Sequence, residues 1–554
     1  MNRFYRLLAF GYFPKELPPI FKTRSFARHT FNLSSIESYI DNKWQRPSPF
    51  LLQQKAHYRR KLDIVSPQAI LGQSHIIASN YNDLQALFNF FPGDCSRPAF
   101  NRKTKFRRAV RPFAIGKGYS HRKLELRSRF PVILKLDVKN YYRSIYTHSI
   151  PWAIHGKQYA KTNLREDNLG NSLDRSFRLG QDGQTIGIPT GPDSSFIIAE
   201  VILSRLVHEM ITRNELRSGR IVRYYDDIEY GCESEVEAHR ILSKFEGALR
   251  EYELEINPDK VSIFSGPKAV EAPWLYKLRK FEWQVDQKTD ELLEIFSYVS
   301  SLAESFPEDH IFRYFLQKMR TTIVREDAWP IYQRILLALF QENRGNAKEI
   351  FDQFTYYREI GWPINKKAMK EALDRKVHHQ LSGVVTSDLS WTIYGYLLFD
   401  LRISKDLLRS VLKGGDCPSM VLATKIIYQN NISLKSEINS IVRLWGKDVL
   451  NSSEWLFAYE ILANQWHNRY NSIELPDNCA LYEHMRDNSV SFIDDEAMSQ
   501  ISLPPPFRRQ IEDAEHEDEL TEDWLSTVLV DEEDVDESDD EGDDDVADAD
   551  WRYY

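Results

Sequence analysis

Cysteine is scarce. The four in 554 residues, at 95, 232, 417 and 479, are widely separated, and no Cys-x-x-Cys occurs. That spacing excludes a disulfide frame and a zinc site, and leaves free thiols of a reducing cytoplasm as the expectation. Long hydrophobic runs are missing too. The best, residues 196–203, is broken by Glu200, far short of what a bilayer requires, so no membrane span is expected. The start, MNRFYRLLAFGYFPKELPP, lacks a small-residue cleavage site and carries an early proline, so it is not expected to be a signal peptide. The glycines at 183, 187 and 191 are followed by neither Gly-Lys-Ser/Thr nor Gly-x-Gly, which excludes a Walker loop and a dinucleotide fingerprint. They suit a tight turn leading into a helix over residues 194–210, whose N-terminal amides would face phosphate.

Basic residues look outnumbered, since the net charge is −9, but the excess is local. Residues 531–550 hold fourteen Asp or Glu and no Lys or Arg; setting these aside leaves the rest of the chain at +5. Residues 102–129 hold eleven Lys or Arg against the single acid Glu125, with Phe106, Phe113 and Tyr119 interleaved. A solvated face explains most such runs. The alternative is phosphate contact, which needs cations and no sequence readout. Arg107, Arg108 and Arg111 are the candidates for it. The acidic stretch, with few large apolar side chains, is expected to be disordered, and either solubilises the protein or competes with nucleic acid for a basic surface.

A hydrophobic share of 42% supports sizeable cores, and the length points to roughly two to four domains. Two short apolar runs deliver carboxylates at their ends. Val132-Ile133-Leu134-Lys135-Leu136 leads to Asp137, and Ile221-Val222-Arg223-Tyr224-Tyr225 leads to Asp226 and Asp227. β-Branched and aromatic runs of this length read as buried strands, and the acid pair falls where a hairpin turn would lie. Neighbouring buried carboxylates repel one another, and a divalent cation relieves the repulsion. A Mg²⁺ site on Asp137 and Asp226, with Asp227 beside it, suits two-metal phosphoryl transfer.

These segments also carry a resemblance. Tyr224-Tyr225-Asp226-Asp227 matches the Tyr-x-Asp-Asp signature of reverse transcriptases, and Leu136-Asp137-Val138-Lys139-Asn140-Tyr141-Tyr142 resembles their first palm motif. Gly187-Ile188-Pro189-Thr190-Gly191-Pro192-Asp193 resembles the second, and Asn257-Pro258-Asp259-Lys260 a later motif that supplies a lysine. Four motifs in order are far more specific than one acid pair. The resemblance implies metal binding by Asp137, Val138, Asp226 and Asp227. It also implies a proton or charge donated to pyrophosphate by Lys260, and substrate contacts by Tyr142, Thr190 and Gly191. Tyr142 would be the ring that excludes a 2′-hydroxyl, unless it is simply a core aromatic. Thr190 stands where many reverse transcriptases carry Gln, a departure that bears on template contact. Residues 59–68 are similar to the strand and proline that open the fingers, and residues 273–281 are the expected primer-gripping hairpin. His148 is expected to pack rather than bind a ligand.

Beyond residue 288 the apolar period becomes helical, as at Leu292, Phe296, Val299, Ala303 and Phe306. Roughly ten helical stretches are expected before residue 500, with Asn451 and Glu454 as a capping pair. The expected fold is α+β: an N-terminal extension (1–50), right-hand fingers and palm (51–287), an all-α, repeat-like helical domain in place of a thumb (288–503), and a linker with the acidic tail (504–554). This arrangement, with Gly170–Asp174 and Gly183–Pro189, resembles the abortive-infection, or defence-associated, reverse transcriptases of bacteria, in particular the second polymerase of a type 3 system. The resemblance implies an antiviral DNA polymerase using dNTPs and Mg²⁺, RNA-templated or without a nucleic-acid template. Its expected partners are RNA, including a non-coding RNA, a DNA product and a partner reverse transcriptase in a homo- or hetero-oligomer. The competing reading is a non-catalytic scaffold of the same fold that binds RNA or a partner polymerase.

Overall fold

The computed structural model describes residues 2–509 apart from 41–42, 54–57, 89–90, 92, 102–107, 115–116, 166, 267, 281–285, 308, 343–344, 467–479 and 499–502. Arg107, Cys479 and the acidic tail therefore lie outside the described residues.

Four short strands appear before the candidate site: β1 (Ser48–Gln53) pairs antiparallel with β2 (Arg59–Ile64), and β3 (Pro98–Phe100) with β4 (Val110–Pro112). The apolar runs at 132 and 221 then form the expected strands, β5 (Val132–Asp137) and β6 (Ile221–Tyr224). With β7 (Asp227–Cys232) and β8 (Ser262–Ser265) they make an antiparallel sheet in the order β6-β7-β5-β8. The register places Asp137 opposite Asp227 and Tyr224 opposite Asp227, so the acids meet at one end of the sheet. Helix Asp193–Thr212 is buried along most of its length, and Glu235–Glu251 buries Ala238, Ile241, Phe245 and Leu249 against β5 and β7. Helix Lys117–Arg129 packs on β6 and β7, where Arg127 forks onto the buried Glu229 (2.6 and 2.9 Å). Part of the basic window is thus internal structure.

From Thr289 to Asp487 the described residues include eleven α-helices. The first, Thr289–Ser305, buries Leu292, Val299 and Ala303 as the helical period requires. Further on, Lys366–Leu381 packs on Ser387–Leu398, which packs on Cys417–Gln429, which packs on Trp455–Ala463. Two expectations differ. Residues Pro273–Lys280 form a helix, not a hairpin strand, because Trp274 and Leu278 fall one turn apart and bury together. Asn451 and Glu454 do not cap the helix at Trp455; Glu454 instead accepts from the Trp445 indole N–H at 2.5 Å.

The N-terminal segment shares its core with the C-terminal helices. Phe13, Phe21, Phe26, Trp455, Tyr459 and Phe492 belong to one buried cluster, and the palm makes another. Backbone bonds stitch the segment down: Lys22 donates to Phe492 O (2.8 Å) and Asp494 to Ile20 O (2.9 Å). The Trp391 and Trp455 indoles donate to Glu16 O and Ile64 O. Phe507, which follows Pro504-Pro505-Pro506, is fully buried against Tyr356 and Tyr357.

Candidate active site

Asp137 ends β5 with its side chain nearly buried, and Asp226 sits in the turn between β6 and β7. The turn is made by Tyr225, which adopts a left-handed φ of 54°, uncommon for a residue with a bulky side chain. Val138 N donates to Asp226 O at 3.3 Å, which ties the two acidic segments together. Burial, and then the charge of Asp137, push the Asp226 carboxyl up to about 7. Two acids in this state fit a divalent cation, which removes the repulsion that raises one of them.

Lys260 closes the site. Its Nζ donates to Asp137 Oδ2 at 2.9 Å. Burial alone would lower its pKa, but the bond to Asp137 and the charges of Asp137, Asp226 and Asp227 raise it above the ordinary lysine value. Asn257 brings it there: its backbone N–H donates to Asp137 O at 2.8 Å, and the Pro258–Lys260 turn follows. Asp227 faces elsewhere. Its carboxylate accepts from the Tyr119 hydroxyl at 2.8 Å and lies 3.4 Å from Lys135 Nζ. Among the described residues no group of three or more His, Cys, Asp or Glu side chains is arranged to hold a metal. The structure thus brings Asp137, Asp226 and Lys260 together and leaves Asp227 with partners of its own.

Tyr142 is half-buried beside Tyr141 (ring centroids 5.9 Å), and burial raises its hydroxyl pKa. Glu200, Arg60, Asp226 and Asp193 act on it electrostatically. Thr190 is buried and exchanges backbone contacts with Asp63 at the end of β2: its N–H donates to the carboxylate and its carbonyl accepts from Asp63 N. Gly191 has φ +133°, and a Cβ there would stand 2.8 Å from Pro14 Cγ, so only glycine fits both demands. Its carbonyl accepts from Arg108, whose guanidinium also donates to Phe13 O and binds Asp193. Expected as a phosphate contact, Arg108 is instead a partly buried clamp on the second motif, with its donors turned inward. Arg111 is exposed on β4. His148 is bonded to Asp174 at 2.7 Å and lies edge-on to Tyr146.

A network behind the hairpin was not foreseen. Arg223, fully buried in β6, binds Asp94 (2.6 Å), Glu200 (2.7 Å) and Ser204 (3.0 Å), and donates to Tyr225 O at 2.9 Å. It therefore fixes the carbonyl just before Asp226. The signal available was an arginine in the middle of an apolar strand, since a buried charge requires partners. Glu200, likewise, interrupts an otherwise apolar helix.

The described residues contain no helix long and apolar enough to cross a membrane. No curated protein matches the chain. A solved structure of telomerase from Candida albicans, in complex with the TWJ fragment of telomeric RNA, is similar at 12% identity with a TM-score of 0.27, over 76% of this chain and 67% of that one. Residues 79–290 match the reverse transcriptase (RNA-dependent DNA polymerase) family. That span holds Asp137, Asp226, Asp227 and Lys260, so the chain carries a reverse transcriptase domain and is an enzyme of the RNA-directed DNA polymerase class.

Proposed function

We propose that residues 51–287 work as polymerase fingers and palm and extend DNA by attack of a 3′-hydroxyl, or a protein hydroxyl, on the α-phosphate of a dNTP. The observation that carries this reading is the close trio of Asp137, Asp226 and Lys260 at the tip of the Tyr-x-Asp-Asp hairpin. Asp137 and Asp226 would hold Mg²⁺, with Val138 beside them and Asp227 a less direct contributor. Bound Mg²⁺ supplies charge stabilisation to the attacking and leaving oxygens. Lys260, held charged by the acids, is placed to neutralise or protonate departing pyrophosphate. Tyr142 forms the wall against a 2′-hydroxyl. The Gly191–Asp193 turn, locked by Arg108, sets the floor between that wall and the fingers hairpin.

The finer assignment is to antiviral defence, with synthesis either RNA-templated or without a nucleic-acid template, in the cytoplasm and with a partner polymerase. Its support is the resemblance at residues 170–189, the long helical region after the palm, and Thr190 in place of Gln.

The experiment is incubation of purified protein with each dNTP and Mg²⁺, followed by sequencing of any product. Asp137→Asn and Asp226→Asn are expected to abolish incorporation, with Asp227→Ala milder because its carboxylate already serves Tyr119 and Lys135. Undiminished incorporation in both Asn variants would sink the polymerase mechanism.

A further inference from the structure

Asp227 stands directly opposite Asp137 in the ladder of β5 and β7. Side chains opposite one another in an antiparallel pair share a face, with Cβ atoms about 4.5–5.5 Å apart. By register alone, the Asp227 carboxylate would join those of Asp137 and Asp226. It is instead engaged by a donor at each oxygen: the Tyr119 hydroxyl at 2.8 Å from Oδ2, and Lys135 Nζ at 3.4 Å from Oδ1. The two donors differ in hold. Lys135 is 38% exposed, so solvent screens its charge. Tyr119 is 1% exposed, and a buried phenol that loses its acceptor is costly, so its bond to the carboxylate is directional and firm.

Tyr119 reaches the site from helix Lys117–Arg129 and is itself fixed. Its ring stacks on Tyr224, with centroids 4.9 Å apart and 27° between the planes. Tyr224 is the residue that pairs with Asp227 across the β6–β7 hairpin, and it meets Tyr225 edge-on at 4.7 Å. Lys123 Nζ lies over the Tyr119 ring, 4.6 Å from its centroid, and donates to Val270 O at 2.9 Å. One side chain thus touches both arms of the hairpin, the ring two residues before Asp226 and the hydroxyl one residue after it. We propose that Tyr119 is a positioning residue of the polymerase centre, which staples the hairpin and holds Asp227 aside so that Asp137 and Asp226 form the cation pair. The inference rests on the reading of those two acids as the Mg²⁺-holding pair. Affinity for a hard cation follows the number of charged oxygen ligands, so a centre held to two carboxylates releases its ion more readily than one of three.

The test is a double-mutant cycle on the full-length chain, with Mn²⁺ binding read by electron paramagnetic resonance in the absence of nucleotide. Tyr119→Phe removes the hydroxyl and keeps the ring on Tyr224. It is expected to tighten Mn²⁺ binding about threefold or more, as the released Asp227 turns towards the pair. In an Asp227→Ala background the same substitution is expected to leave the affinity unchanged, because no carboxylate is released. A melting-temperature cycle on the same four proteins in EDTA reads the bond itself. The two losses should be less than additive, since either substitution breaks the one contact. Mn²⁺ affinity that Tyr119→Phe leaves unchanged, or changes alike in both backgrounds, overturns the proposal and assigns the ring to packing alone. Additive losses in EDTA overturn it as well. Incorporation by the Asp137→Asn and Asp226→Asn proteins would reject the polymerase mechanism by a separate measurement, leaving the two cycles to decide the role of Tyr119.

Discussion

Asp226 is held in two ways: Arg223 and Val138 fix its backbone neighbourhood, while burial and Asp137 keep its carboxyl protonated up to about pH 7. In the unfolded chain the same carboxyl ionises near pH 4. Between those values the folded state holds the extra proton, so stability falls as pH rises. Without divalent ions, the melting temperature should drop from pH 4.5 to 7.5, and Asp226→Asn should flatten part of that slope. Glu200 and Glu460, both pushed up to about 7 by burial, and Asp416, pushed up to about 6, titrate in the same window and with the raised Asp193 keep the remainder. Added Mg²⁺ at the upper pH should raise the melting temperature of the parent more than that of the variant. Equal slopes in the two proteins would mean that Asp226 is not the perturbed acid. At Tyr142 the expectation concerns choice of sugar. Removing the ring with Tyr142→Ala should raise ribonucleotide use relative to deoxynucleotide roughly tenfold or more, the worth of a lost steric contact in a pocket. An unchanged ratio in single-nucleotide incorporation would make it a packing residue.

The hairpin of β6 and β7 shows what an element demands from distant parts of the chain. Its strands could be read from the apolar runs, and the turn from the acid pair, because both signals are local. Helix Asp193–Thr212 was equally legible from its period. Arg223 was visible as a misfit, yet its partners Asp94 and Glu200 lie 129 and 23 positions away and carry no mark of pairing. Lys260 reached Asp137 only through resemblance to known motifs, since spacing alone does not bring residues 123 apart into contact. Arg108 was misread for the same reason: its partner Asp193 is remote, and a basic run looks alike whether it faces phosphate or a buried acid. The buried network should dominate the stability of the hairpin. Arg223→Met leaves Asp94 and Glu200 without their cation and is expected to cost on the order of 3–5 kcal/mol, read as a lower urea midpoint. Glu200→Gln keeps Arg223 with Asp94 and should cost less. A midpoint unmoved by Arg223→Met would show that the network contributes nothing to the hairpin.

Over the whole molecule, most of the buried N-terminal segment shares one cluster with the C-terminal helices, and the palm forms another. The described residues end at Arg509, just past Phe507, whose ring packs on Tyr356 and Tyr357. Residues 531–550 bring fourteen carboxylates and no cation, against eleven basic residues and one acid in residues 102–129. If the tail screens these charges, deleting residues 510–554 should tighten binding of a short labelled single strand, measured by fluorescence anisotropy. The gain should shrink as salt rises, because exposed charges more than ~10 Å apart are largely screened at 0.1 M. A tail that only solubilises predicts altered aggregation with affinity unchanged at both salt concentrations. Loss of an oligomer on size-exclusion chromatography with light scattering would assign it to docking, through the aromatic end Trp551-Arg552-Tyr553-Tyr554.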